Sequence, residues 1–143
     1  MSALVSTVSP WTPRRAFRLP QDDEAFLDAT GFRWETVVEG GAQRLVIYDY
    51  PVGAGYNQAA VDLHFRIEGG YPDVQIDMVY VSPALAKTTG GAIGALSSEP
   101  FDGRTWQRWS RHRTAAHPWR PGLDNVDTHL ALVDEWFARE VGR

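Results

Sequence analysis

Apolar side chains fall on every second position from Val61 through Leu63 and Phe65 to Ile67, while Asp62, His64 and Arg66 face the other way. That period predicts a half-buried β-strand with His64 on its solvated side. The same period runs through "YPDVQIDMVYV", where Val74, Ile76, Met78 and Tyr80 alternate, and through "FRWETVVE", where Trp34, Thr36 and Val38 do. Gly40 and Gly41 then turn the chain into "AQRLVIYDY", which predicts a hairpin. With connections too short for crossovers, the four strands form an antiparallel meander.

The period lengthens at both ends of the chain. "LPQDDEAFLDATG" predicts a short helix that begins at Asp22 or Asp23 and stops at Gly31, with Ala25, Phe26 and Leu27 available for its buried face. Near the other end, Leu123, Val126, Leu130, Val133, Phe137 and Val141 recur at spacings of three and four, which predicts a closing helix capped by Asp124. His129 shares the face of Val126 and Val133 and reads as a satisfied helix residue. Between Ser82-Pro83 and Gly103 no period survives in "TTGGAIGALSSEPFDG", an irregular segment of the kind that carries function. "WQRWSRH" then suits a helical turn. Residues 1–18, rich in Ser, Thr and Pro, read as an arm, extended or partly disordered, that Trp11 and Phe17 can pin. One domain over 19–143, α+β in class with its helices on one face or end of the sheet, accounts for the rest.

Composition narrows the chemistry. The 143 residues include no cysteine, so disulfides, thiolate metal sites and thioester formation on this chain are excluded. The formal charge of −4 does not favour polyanions. The N-terminus has no sustained apolar run to serve as a secretory signal, and no stretch approaches the roughly 20 apolar residues of a membrane helix. The expected location is cytoplasmic. Lys87 is the single lysine among 14 Lys and Arg.

One stretch collects candidate chemistry. "WQRWSRHRTAAHPWRPG", residues 106–122, holds Trp106, Trp109 and Trp119, four arginines and two of the chain's four histidines, with no carboxylate. Tryptophans interleaved with arginines could stack the bases of a single strand, but a local aromatic cluster with arginines on its ring faces fits the acidic total better. His112 and His117 stand five apart with no third ligand in view, so no metal site is expected. Ser110 lies among potential bases. In an extended chain it shares a side with His112, whereas in a helical turn it does not, and His117 or His64 could then serve instead.

Tyr71-Pro72 leading into the fourth strand and Trp119-Arg120-Pro121 leading into the last helix resemble the ubiquitin-conjugating (UBC) fold. "YPDVQIDMVYVSPAL", followed by "FDGRTWQRWSRH", "WRPG" and "THLALVDEW", is similar to the prokaryotic UBC-like family E across roughly residues 19 to 141. The resemblance implies a carrier that receives the activated C-terminus of a ubiquitin-like protein from a ThiF-like activating enzyme and passes it to a target protein. Relatives keep the acyl-bearing cysteine shortly before the tryptophan of Trp-x-Pro. Here Ser110, nine residues before Trp119, is the nearest nucleophile, and it would form an oxyester. Asp102 stands where relatives have the asparagine of His-Pro-Asn; a carboxylate there would repel an oxyanion. Ser110, His112, His117 and Asp102 are therefore the expected catalytic set, with Arg104, Arg108, Arg111 and Trp109 facing the partner. No cofactor is expected. The alternative is a catalytically inactive adaptor that binds the same partners; a single-stranded nucleic-acid module stands behind both.

Overall fold

A computed structural model describes residues 10–142, so half of the expected arm, residues 1–9, lies outside the described residues. Its element order is α1 (Gln21–Thr30), β1 (Trp34–Glu39), β2 (Ala42–Pro51), β3 (Ala60–Arg66), β4 (Val79–Ser82), β5 (Leu96–Phe101), β6 (Arg104–Trp109) and α2 (Val126–Val141). All strands belong to one antiparallel sheet in the order β1-β2-β3-β4-β6-β5. This is an α+β UBC-like architecture with an N-terminal helix, a multi-stranded antiparallel sheet and a C-terminal helix. No helix of the described residues is long and apolar enough to cross a membrane.

The β1–β2 hairpin forms as its pattern predicts. Gly40 and Gly41 both take positive φ, 58° and 79°, the conformation a two-residue hairpin turn demands. The closing helix starts later than expected. Asn125, not Asp124, caps α2: its side chain accepts from the Thr128 N–H while the Thr128 hydroxyl accepts from the Asn125 N–H. Asp124 is drawn back by Arg120 instead, accepting from its backbone N–H at 2.7 Å and from its guanidinium. Leu123 is consequently exposed, while Val126, Leu130, Val133 and Phe137 are buried as their spacing predicts. Each contributes about 1.5–3 kcal/mol relative to an exposed position. In α1 the buried residues are Asp23 and Leu27, and Ala25 is exposed. Asp23 is no cap; its carboxylate accepts from the Tyr71 hydroxyl at 2.6 Å and from the Val126 N–H at 3.3 Å, joining both helices to the loop before β4.

Two larger differences concern the sheet. The expected fourth strand contracts to Val79–Ser82, because Gly70 accepts from the N–H groups of both Asp73 and Val74 and makes residues 70–74 a turn. Val74 is exposed in consequence, and Ile76 reaches the core from an irregular segment. The expected irregular segment is in part a second hairpin, β5–β6, and "WQRWSRH" is strand rather than helical turn through Trp109. Its turn is Asp102-Gly103, with φ of 52° and 78°.

That hairpin curls over the face of the sheet opposite the helices. Glu99 reaches Arg44 on β2 at 3.0 Å and Arg66 on β3 at 3.5 Å; Arg104 reaches Asp62 at 2.9 Å; the Asp102 N–H donates to Glu39 on β1 at 3.1 Å. Two cores result. The main one lies between the helices and the inner sheet face and includes Leu45, Leu63, Phe65, Val81, Trp109 and Phe137. The second, under the hairpin, gathers Val37, Val46, Tyr80, Phe101 and Trp106. It explains why β1 is buried on both faces from Trp34 to Val37.

His64 belongs to this second core, which corrects the expectation of a solvated ring. It is fully buried, stacked on Tyr80 with centroids 4.4 Å apart and packed edgewise on Trp106 at 4.4 Å. Neither ring nitrogen has a hydrogen-bond partner among the described residues. Burial, and then the charges of Arg44, Arg104 and Arg66, lower its pKa to about 2, so the ring is neutral.

Candidate functional site

Ser110 lies one residue past β6, where the chain bends. The Arg111 N–H donates to the Trp109 carbonyl at 2.9 Å, closing a γ-turn centred on Ser110, while the Ser110 N–H donates to the carbonyl of Ala95 at 3.1 Å. The backbone is thus fixed on two sides. The half-buried hydroxyl makes no hydrogen bond with any described residue.

Beyond the bend, residues 111–113 run against residues 76–78. The Met78 N–H donates to the Arg111 carbonyl at 3.1 Å. Asp77 uses both carboxylate oxygens on this segment: Oδ2 lies 2.7 Å from His112 Nδ1, and Oδ1 accepts from the Arg113 N–H at 3.2 Å. An Nδ1–H donated to the carboxylate leaves the Nε2 lone pair of a neutral imidazole free, on a side chain that is 66% exposed. His112 follows Ser110 by two residues, across the γ-turn that ends β6.

The corner carrying Asp77 is held from beneath. Met78 has φ of 61°, a conformation that costs a non-glycine residue about 1–3 kcal/mol and persists where the surroundings impose it. His129 supplies part of that constraint. Its Nε2–H donates to the Met78 carbonyl at 2.9 Å, and its Nδ1 accepts from Arg113 Nη2 at 2.9 Å. Arg113 also donates from Nε to the Ile76 carbonyl and stacks over Trp119, 4.6 Å from the ring centroid. His129 is therefore the satisfied helix residue its spacing predicts, and burial lowers its pKa to about 3. Trp119 completes the support by donating to the Pro72 carbonyl at 2.9 Å.

The other expected catalytic residues are elsewhere. Asp102 sits at the tip of the β5–β6 hairpin, the length of β6 away from Ser110. Arg14 holds it through two hydrogen bonds of 2.8 and 2.7 Å and also binds Glu35, which accepts from the Tyr48 hydroxyl at 2.6 Å. Burial alone would raise the Glu35 carboxyl, but Arg14 and Tyr48 outweigh it and hold it at about 2. His117 faces α2, with Nε2 at 3.6 Å from Glu135. His64 is on the far side of β3 in the second core, against Tyr80, Phe101 and Trp106.

Of the residues expected to face a partner, Trp109 is wholly buried between Tyr56 and Phe137. Arg111 turns inward to the Gly94 carbonyl and to Glu140, which also faces Lys87 at 3.7 Å. Arg104 is paired with Asp62 and lies over Trp106. Arg108 alone of the four makes no hydrogen bond or ion pair with a described residue. Each tryptophan of the stretch carries an arginine on its face, at 4.2 Å for Trp106, 4.9 Å for Trp109 and 4.6 Å for Trp119. Trp106 and Trp109 are fully buried and offer no ring for base stacking. No group of three or more His, Asp or Glu suited to a metal ion occurs among the described residues.

Sequence reasoning missed Asp77. The alternation of Ile76 and Met78 places it off their face, but nothing local couples it to a histidine 35 positions later.

In comparison with known proteins, the family model described as Prokaryotic E2 family E matches residues 19–140. No curated protein and no solved structure matches the chain.

Proposed function

The chain belongs to prokaryotic E2 family E, and from that membership we propose that it is an acyl carrier in a ubiquitin-like conjugation pathway, using Ser110 in place of a cysteine. Its partners are then a ThiF-like activating enzyme, a ubiquitin-like protein and a target protein. The observation that carries the reading is the Asp77–His112 pair on the backbone segment that begins at Ser110, in a chain with no thiol.

A serine hydroxyl needs a base at neutral pH, and a histidine fixed in one tautomer by a carboxylate meets that need. In the charging step Ser110 Oγ attacks the activated C-terminal carbonyl, its proton passes to His112 Nε2, and the bond to the activating enzyme's leaving group breaks. The leaving group takes up the proton. In the transfer step the target's amine or hydroxyl attacks the ester, His112 accepts its proton, and the bond between the acyl carbon and Ser110 Oγ breaks with return of a proton to Oγ. Asp77 neither gains nor loses a proton; it orients the ring and stabilises the imidazolium. An oxyester is less reactive than a thioester, so the base matters most in transfer.

The free Ser110 hydroxyl favours one second reading, an adaptor that binds the same partners without carrying an acyl group. Incubation with the activating enzyme, ATP and the ubiquitin-like partner separates them. The carrier gives a thiol-resistant, base-labile adduct that is absent in Ser110→Ala; an adaptor binds the partner and gives none. Charging of Ser110→Ala at the wild-type rate would remove the serine from the mechanism.

A further inference from the structure

On the outer face of the sheet, beside the strand end that carries Ser110, a cleft of about 370 Å³ opens between the turn after β3 and strands β4 and β6. Arg66 and Arg108 form its basic walls, Met78 and Tyr80 its apolar floor, and Glu68 and Asp77 stand at its margin. Arg108 precedes Ser110 by two positions, at the end of β6.

The two guanidinium groups are under-satisfied. Arg108 donates to no described residue, and its Nε is buried without a partner. Arg66 reaches Glu99 Oε1 at 3.5 Å from Nη2, while its Nε is buried without a partner among the described residues. Arg108 thus keeps its guanidinium donors free for an acceptor that arrives from outside.

We propose that Arg108 and Arg66 form an anion subsite that takes a carboxylate side chain of the incoming polypeptide and holds it beside Ser110. The charge balance selects the anion. Glu68 and Asp77 also line the cleft, so a monoanion meets less repulsion there than a phosphate dianion. A planar carboxylate also matches the guanidinium fork, which accepts it in bidentate fashion. The assignment to the incoming polypeptide rests on the carrier reading of Ser110; the binding itself does not. An acidic side chain near the C-terminus of the ubiquitin-like protein would be registered here before its terminal carbonyl meets the hydroxyl.

The test uses the uncharged full-length protein, followed through its arginine Nε–Hε NMR signals, with the Arg108 signal assigned from Arg108→Lys. The probe is N-acetyl-glutamate α-amide, with N-acetyl-glutamine α-amide and inorganic phosphate as comparisons. Saturable movement of the Arg108 and Arg66 signals by the glutamate probe is expected; in Arg108→Gln the Arg66 signal, assigned from Arg66→Gln, reads the affinity, weakened about tenfold or more by the loss of one charge-assisted bidentate contact. Should that variant not fold, Arg66→Gln gives the same comparison with a smaller loss. An unmoved Arg108 signal, equal movement by the glutamine probe, or unchanged binding in a folded Arg108→Gln would overturn the subsite; tighter binding of phosphate would overturn its assignment to a carboxylate. Because no acylation is involved, failure of Ser110 to charge leaves this result standing, and the converse holds as well.

Discussion

His112 Nδ1 lies 2.7 Å from Asp77 Oδ2, so a carboxylate delivered by the turn before β4 fixes the ring of the histidine that follows the β6 bend. On the carrier reading this contact sets the tautomer of the base. Asp77→Asn keeps the shape of the contact but removes its charge. It is expected to slow charging and transfer by about 100-fold or more, the lower range of what a positioned base contributes. Single-turnover kinetics across pH should show the loss in the rate of the chemical step, with partner affinity unchanged. A variant as fast as wild type would leave Asp77 a purely structural clamp.

His64 and His129 make stability depend on pH. Folded, their values are lowered to about 2 and about 3, while an unfolded histidine takes its proton near 6.5. The unfolded chain therefore binds more protons below that pH. Stability is full above about pH 6.5 and declines toward pH 5, by up to about 1.4 kcal/mol per pH unit for each ring. His64→Phe retains an aromatic ring between Tyr80 and Trp106 and removes two unpaired nitrogens. Denaturant unfolding is expected to show a gain of about 1 kcal/mol at pH 7 and roughly half the slope between pH 6.5 and 5. Destabilisation at pH 7 would count against the account of His64 as an unsatisfied ring.

Asp102 fastens the hairpin tip to Arg14, with 25% of its side chain exposed. Asp102→Asn is expected to lower stability by no more than about 1 kcal/mol, as for other solvent-accessible ion pairs. Charging of Ser110 should proceed at the wild-type rate. A large loss of charging with intact stability would return Asp102 to the reaction.

Lys87 is the sole lysine, and its side chain is 7% exposed, facing Glu140 at 3.7 Å. The charged carrier is expected to accumulate without an isopeptide on Lys87. Mass spectrometry after base treatment, which cleaves the ester and spares amides, checks this; a modified Lys87 at near stoichiometric yield would show that the segment opens.

Much of the fold was legible because local periodicity and the element that forms agree in α1, β1 to β3 and α2. Agreement fails at β5, where Ser97, Ser98 and Pro100 form a strand that no alternating pattern marks. The Asp102-Gly103 turn was the available signal, an Asp-Gly pair between Phe101 and Trp106. Missing that hairpin misplaced His64, since a ring opposite the apolar face of β3 is solvated unless something covers it. At the site, Ser110 and His112 are neighbours in sequence and could be read together. Asp77 could not, because its approach depends on the positive φ of Met78, imposed by His129 and Arg111 from distant parts of the chain.

The arm along β1 has a consequence for the protein in crowded solution. Residues 14–16 occupy that edge of the sheet, with Thr36 donating to the Arg14 carbonyl and accepting from the Ala16 N–H, while Pro100 interrupts the donors of the opposite edge strand, β5. Neither border offers a long uninterrupted template for another chain to extend. The sheet is thereby guarded against pairing with copies of itself.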